Sequence, residues 1–126
     1  MRHPEAEEQK ALFEWAEYAR GRWPELTMMY HIPNGGRRDK AEAAMLKAEG
    51  VKKGVPDICL PVARCGYFGL YIELKAGKGR TPKEQEAWID ALKTQNYCVH
   101  VCYGWRHAAD VIANYMRMPQ TAAAKV

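Results

Sequence analysis

Three short apolar segments and one helical segment, all between residues 55 and 103, constrain the fold of this chain more than any other feature. Residues 55–62 and 69–75 are joined by a turn at residues 64–66, which predicts two strands in a hairpin or near-hairpin. Residues 81–84 have the form of a capping box with proline at the first helical position, so a helix is predicted to begin there. Residues 97–103 are aromatic and β-branched and predict a third strand. This pattern favours a sheet on which helices pack.

Further segments extend the pattern to both ends of the chain. Residues 4–20 predict a first helix, residues 26–32 a short strand, residues 39–49 a second helix, and residues 105–116 a closing amphipathic helix. The central strands are apolar on more than one face, so we predict an α/β fold with a mixed β-sheet flanked by helices on both faces. The buried stripe of the third helix is predicted to consist of Ala87, Trp88, Ala91 and Leu92.

The size and composition of the chain fit one globular domain. Of its 126 residues, 48% are hydrophobic and the net charge is only +4, so a core can form and a mainly disordered chain is excluded. We predict a single domain over residues 1–117 and a flexible tail over residues 118–126. No apolar run is long enough to span a membrane and the N-terminal residues are charged, so we expect a cytoplasmic location.

The positive charge is concentrated in the middle of the chain. Residues 31–80 carry 10 basic and 5 acidic side chains, whereas the segment before them has an acidic excess and the segment after them is nearly balanced. A segment this basic can neutralise several backbone phosphates, as binding to a nucleic acid requires. Charge alone leaves open the alternative of a solvated basic surface without a partner.

Three charged residues interrupt the two apolar strands of the predicted hairpin. Glu73 and Lys75 are two residues apart and therefore project from one face of their strand, and Asp57 can lie beside them on the paired strand. Each residue taken singly fits a solvated surface, but two adjacent carboxylates repel each other unless a cation offsets their charge. Carboxylate oxygens of this kind suit Mg²⁺ or Mn²⁺, which can also bind substrate phosphates.

These residues carry a resemblance to a known family. Residues 54–57 (Gly-Val-Pro-Asp) and 73–75 (Glu-Leu-Lys) resemble the signature of the PD-(D/E)xK nuclease superfamily, which has a restriction-endonuclease-like core. Together with residues 8–9, 31–36 and 81–85, they resemble the VRR-NUC family within that superfamily. The order of the motifs, their strand context and the capped helix that follows make the resemblance specific and extend it over most of the chain.

The resemblance implies a metal-dependent phosphodiesterase that acts on DNA. Asp57 and Glu73 would bind Mg²⁺ or Mn²⁺, helped by the backbone carbonyl of Leu74. The metal would lower the pKa of a water molecule and offset charge on the phosphate. Lys75 would orient that water or stabilise the charged transition state.

Two further residues of the implied site come from helices. Glu8 in the first helix would act as a further ligand or water partner, and Gln85 in the third helix would complete the site. Helix spacing favours Glu8 over Glu5 or Glu7, because it lies four residues before Leu12.

Two glycine-containing basic loops are candidates for contact with DNA. The first loop is residues 34–38 and the second is residues 77–80. Glycines let backbone amides approach a phosphate, and in residues 34–38 two arginines follow the glycines at the start of a helix, which predicts a phosphate-binding loop. An ordinary solvated turn is the alternative for either loop. Lys53, which lies in the basic middle segment, is a further candidate. The residues predicted to contact DNA are Asn34, Gly35, Gly36, Arg37, Arg38, Lys53, Lys78 and Arg80.

The expected activity is endonucleolytic hydrolysis of DNA. Standalone proteins that resemble this family suggest a homodimer that cuts branched DNA such as Holliday junctions, since a two-fold enzyme can place two active sites on two strands. A nuclease acting on ordinary duplex remains an alternative. A nucleic-acid-binding module without catalysis is the rival from another class, and a metal-independent ribonuclease that uses the region of His31 as acid and base is a third.

Overall fold

The structure is a computed structural model in which residues 4–33 and 39–124 are described. The predicted phosphate-binding loop, residues 34–38, lies outside the described residues. None of the helices in the described ranges is long and apolar enough to cross a bilayer. In chain order the elements are α1 (Pro4–Ala19), a 3₁₀ helix (Pro24–Met28), β1 (Tyr30–His31), α2 (Lys40–Ala48), β2 (Ile58–Leu60), β3 (Leu70–Lys75), α3 (Lys83–Thr94), β4 (Cys98–Tyr103) and α4 (Trp105–Met116).

The four strands form one sheet in the order β1-β2-β3-β4. β2 pairs antiparallel with both β1 and β3, which confirms the predicted hairpin, and β3 pairs parallel with β4 through the connecting helix α3. The sheet is therefore mixed and flanked by helices, as the sequence predicts.

The main core lies on one face of this sheet. Alternate residues of β3, namely Leu70, Ile72 and Leu74, are almost fully buried against the apolar faces of α1 and α4. The hydroxyl of Tyr115 in α4 donates a 2.6 Å hydrogen bond to the carbonyl of Val62, which joins α4 to the segment that follows β2. The intervening residues of β3 therefore face the opposite side of the sheet, where α3 lies.

Two of the predicted strands are shorter than expected, and proline is the reason. Residues 26–32 were expected to be a strand, but the chain forms the 3₁₀ helix that begins at Pro24 and then only the two-residue strand β1. Residues 55–62 form a strand only over β2, because Pro56 and Pro61 on either side have no N–H group for the ladder.

The start of α3 and its buried face also differ from the sequence prediction. Pro82 is the N-cap residue and no side-chain capping bond forms, so the predicted capping box of Thr81 and Glu84 is wrong. Ala87 and Ala91 are exposed, whereas Ile89 is buried. The inward-facing positions follow the helical spacing of Gln85, Trp88, Ile89 and Leu92. This rotation turns Gln85 toward the sheet.

Candidate active site

The strand register brings Asp57 and Glu73 side by side on the face of the sheet that α3 partly covers. Ile58 pairs with Ile72 in an antiparallel ladder. Asp57, which precedes Ile58, therefore lies opposite Glu73, which follows Ile72. Asp57 is held there because its carboxylate oxygen Oδ2 accepts a 2.9 Å hydrogen bond from the backbone N–H of Leu74.

Lys75 and Gln85 close a triangle of polar contacts around Glu73. The Lys75 ammonium lies 3.3 Å from Oε2 of Glu73 and donates a 2.9 Å hydrogen bond to the side-chain oxygen of Gln85. The side-chain amide of Gln85 donates to the same Oε2 of Glu73 at 2.7 Å. Glu73 and Lys75 are both buried, so these contacts fix the two side chains relative to each other.

The other oxygen of Glu73 is left without a partner. Oε1 is buried, and in the described part of the chain it forms no hydrogen bond. Burial, followed by the repulsion of Asp57, raises the pKa of Glu73 to about 7 against the opposing effects of Lys75 and Gln85. Burial also raises the pKa of Asp57, although the Leu74 N–H and the nearby His31 and Lys75 act in the opposite direction. The single ammonium of Lys75 thus offsets only part of the negative charge of the two carboxylates.

The residues present fit a divalent cation that binds oxygen. Mg²⁺ and Mn²⁺ bind through one or two carboxylates and complete their coordination with water and substrate oxygens. The backbone carbonyls of Gly69 and Lys75 accept bonds from the β4 side, so by alternation the carbonyl of Leu74 is directed to the side of Asp57. Within residues 4–33 and 39–124, no cluster of three or more His, Cys, Asp or Glu side chains could hold a metal, so the candidate site offers two carboxylates and a backbone carbonyl.

Gly54 and His31 hold the segment that carries Asp57. Gly54 has a φ of +88°, and a Cβ atom there would lie 2.8 Å from the backbone oxygen of Glu84 and 3.0 Å from Cδ1 of Trp88. Only glycine therefore lets this segment approach the first turn of α3. The Nδ1–H group of His31 donates a 2.9 Å hydrogen bond to the backbone carbonyl of Asp57. The sequence contained both residues in its motifs, but their role in positioning Asp57 depends on contacts that only the fold reveals.

Glu8 has a different set of contacts from the carboxylate pair. Its Oε1 atom accepts a 2.9 Å hydrogen bond from the backbone N–H of Trp105, the first residue of α4. The backbone N–H of Gly104, the N-cap residue of α4, donates a 2.9 Å hydrogen bond to the carbonyl of Lys75. Glu8 thus lies at the same end of the sheet as Lys75, but it forms no metal-binding cluster with the two site carboxylates among the described residues.

The predicted DNA-contacting residues that the structure describes are exposed and lie in loops next to the site. Lys53 immediately precedes Gly54, which packs closely against the first turn of α3. Lys78 and Arg80 lie in the loop between β3 and α3, and a Cβ atom on Gly79 would meet the Lys75 side chain at 3.7 Å. This loop therefore packs over the lysine of the site.

Comparison with known proteins identifies the family and the fold of the chain. A family model described as the VRR-NUC domain matches residues 3–106 of the chain. A solved structure named "VRR_NUC domain protein" superposes with a TM-score of 0.80 and 28% sequence identity, covering 100% of this chain and 99% of that one. The comparison with curated proteins finds no match. Because the family model spans most of the chain and a solved structure shares its whole fold, the protein belongs to the VRR-NUC family of nuclease domains.

Proposed function

We propose that this protein is a metal-dependent endonuclease that hydrolyses phosphodiester bonds of DNA. The observation that carries the proposal is the adjacent pair of Asp57, which is half-buried, and Glu73, which is buried and has one oxygen without a hydrogen-bond partner in the described structure. A pair of carboxylates that serves only stability would have satisfied partners or would be replaced by apolar residues. A divalent cation would bind the unpartnered oxygen of Glu73 and offset the negative charge that Lys75 leaves uncompensated.

The proposed cation is Mg²⁺ or Mn²⁺, held by Asp57, Glu73 and the backbone carbonyl of Leu74. When bound, it supplies Lewis-acid chemistry, which makes water a stronger nucleophile and offsets charge on the phosphate. The N–H of Leu74 and the side chain of Gln85 orient the two carboxylates through the hydrogen bonds that they donate. These bonds leave Oε1 of Glu73 available as a ligand.

Lys75 is proposed to stabilise the negative charge that develops on the phosphate. In hydrolysis, a water oxygen adds to phosphorus, one phosphorus–oxygen bond of the strand breaks, and a proton from water ends on the departing hydroxyl group. Gln85 and Glu73 hold the Lys75 ammonium in a fixed position at the site. A charge that is already oriented stabilises the transition state without reorganising when the reaction occurs.

The proposed DNA is branched, such as a Holliday junction, and the proposed active form is a cytoplasmic homodimer. Two copies related by a two-fold axis would present two sites to two strands of one junction. Lys53, Lys78 and Arg80 would contact backbone phosphates beside the site, and their exposure supports this role. The residues 34–38 are proposed for the same role on the strength of their sequence alone.

A cleavage experiment tests the proposal and its rivals together. Labelled four-way junction, flap, duplex and single-stranded DNA, together with labelled single-stranded RNA, would be incubated with Mg²⁺, Mn²⁺ or EDTA and the products resolved by denaturing electrophoresis. We expect metal-dependent cleavage, strongest on the junction, that is lost in Asp57→Ala, Glu73→Ala and Lys75→Ala proteins that remain folded.

The other outcomes identify the alternatives. Binding of DNA in EDTA without cleavage in either metal would favour the non-catalytic module. Cleavage of RNA in EDTA that survives Asp57→Ala but not His31→Ala would favour the metal-independent ribonuclease. Cleavage retained in two of the three site variants would contradict the assigned roles.

A further inference from the structure

A row of aromatic side chains lies next to the candidate metal pair on the same face of the sheet. The aromatic strip, as we call it, consists of Tyr30, Tyr71, Tyr97 and Phe68. Tyr30 is 50% exposed and Phe68 is 61% exposed, unlike the aliphatic residues of the opposite face. The mechanism proposed above uses none of these four residues.

The register of the strands places the strip one step away from the site. Tyr30 pairs with Cys59, which pairs with Tyr71, so the two tyrosines share one face across three strands. Tyr71 precedes Glu73 by two residues and therefore projects to the same face, at about 7 Å along the strand. The strip and the carboxylate pair are thus adjacent parallel rows, separated by roughly the length of one extended nucleotide.

Contacts among the rings hold three members of the strip, Tyr71, Tyr97 and Phe68, in one arrangement. The Tyr71 and Tyr97 rings meet edge to face with centroids 5.3 Å apart, and Phe68 meets Tyr97 at 6.1 Å. Cys59 is the register partner of both Tyr30 and Tyr71, so it lies between these two tyrosines on the same face of the sheet. Rings fixed in this way lose little entropy when a flat ligand covers them.

We propose that the aromatic strip stacks an unpaired base of the DNA strand whose neighbouring phosphate lies at Asp57 and Glu73. This inference rests on the proposed nuclease function and specifies its substrate. Bases within a duplex have both faces covered by their neighbours, so only an unpaired or frayed base can lie on protein rings. Because every base has a flat π face, such a strip selects unpaired structure and tolerates any sequence. The strip therefore favours DNA with unpaired nucleotides beside the cut, as occurs at a branch point.

The test measures stacking in EDTA, where it does not depend on cleavage. Single-stranded and junction oligonucleotides would carry 2-aminopurine, a base whose fluorescence is quenched when it stacks, at successive positions. We expect quenching by wild-type protein and by Tyr30→Phe, which keeps the ring. Tyr30→Ala and Phe68→Ala are expected to lose the quenching and to weaken binding of single-stranded DNA by about 5- to 150-fold, the range for loss of one stacked base.

The control and the contrary outcomes follow from the same fold. Tyr18 is 88% exposed on α1, on the other side of the sheet, so Tyr18→Ala should leave quenching and affinity unchanged. Quenching that is equal in wild type, Tyr30→Ala and Phe68→Ala would overturn the inference. A change of molecular mass in Tyr30→Ala without loss of quenching would also overturn it and would assign the strip to contact between copies. Quenching without any metal-dependent cleavage would instead contradict the nuclease proposal and leave the stacking site standing.

Discussion

The buried carboxylate of Glu73 lowers the stability of the fold but is required by the proposed cation site. The residue is only 3% exposed, it lies beside another carboxylate, and one of its oxygens has no partner among the described residues. Burying a charge in this way costs free energy, which the fold recovers elsewhere. A bound cation would offset this cost. Without the cation, the protein should therefore become more stable when the charge of Glu73 is removed.

Glu73→Gln is expected to raise the free energy of unfolding by about 1 kcal/mol in EDTA, because burial and the repulsion of Asp57, which raise the pKa of Glu73 to about 7, outweigh the ion pair with Lys75 that the variant loses. Thermal unfolding should be measured above pH 7, where Glu73 is ionised despite its raised pKa. Mg²⁺ should raise the melting temperature of the wild type but not of the variant.

The matched control for this prediction is Glu86→Gln on α3, which removes an exposed charge and should change stability by less than about 0.5 kcal/mol. A Glu73→Gln protein that is less stable than wild type in EDTA would show that the carboxylate pair is not under strain.

At the scale of elements, the beginning of α4 depends on a residue almost a hundred positions earlier in the chain. Gly104 has a φ of +88° and contributes no side-chain cap, and Oε1 of Glu8 in α1 accepts the N–H of Trp105 instead. A carboxylate at a helix N-terminus satisfies a free N–H group and interacts favourably with the helix dipole. Glu8 therefore joins α1 to α4, whatever else it does at the site.

Glu8→Ala is expected to lower the free energy of unfolding by about 1 kcal/mol, because α4 loses its capping bond. Glu8→Gln keeps an acceptor oxygen and should lose only the charge, at a cost of about 0.5 kcal/mol. Chemical denaturation of both variants measures the difference. Equal stability of Glu8→Ala and wild type would show that the bond to Trp105 does not stabilise α4. Cleavage by Glu8→Gln, measured in parallel, reports separately on the proposed role of the carboxylate as ligand or water partner.

The element predictions from sequence succeeded where the information is local and failed where it is not. The bounds of α4 and the antiparallel pairing of β2 with β3 follow from periodicity and turn residues. The capping box at residues 81–84 did not form, because Pro82 takes the N-cap position and places Thr81 outside the helix. Periodicity also misplaced the buried face of α3, since small alanines are compatible with either side of a helix.

At the scale of the whole molecule, the sequence predicted the adjacency of Asp57, Glu73 and Lys75 because strand alternation and one hairpin suffice to bring them together. It did not predict the contact of Glu8 with Trp105, which joins two helices distant in sequence. The aromatic strip was also missed, since Tyr30 and Tyr71 become neighbours only through the register of β1, β2 and β3. Contacts between distant segments are what a single sequence leaves unspecified.

The distribution of charge over the molecule leads to a prediction for DNA binding. Lys78→Ala combined with Arg80→Ala should weaken binding and reduce the salt dependence, with the slope of log K against log salt falling by up to about 2. Fluorescence anisotropy over a series of salt concentrations measures the slope. Lys10→Ala combined with Arg20→Ala removes the same charge from α1 and from the turn that follows it, on the other side of the sheet, and should change the slope little. Equal slopes in both double variants would remove the loop between β3 and α3 from the DNA interface.

Whether the carboxylate pair holds a catalytic cation can be measured as the single-turnover rate of four-way junction cleavage during a titration of Mg²⁺, with wild-type and Glu73→Gln proteins side by side. Cleavage by the wild type is expected to rise from zero in EDTA and to saturate with Mg²⁺. The variant, although folded and bound to the DNA, is expected to cut at least about 100-fold more slowly at every concentration. Equal rates for the two proteins, or wild-type cleavage that persists in EDTA, would contradict the claim that Asp57 and Glu73 hold a catalytic cation.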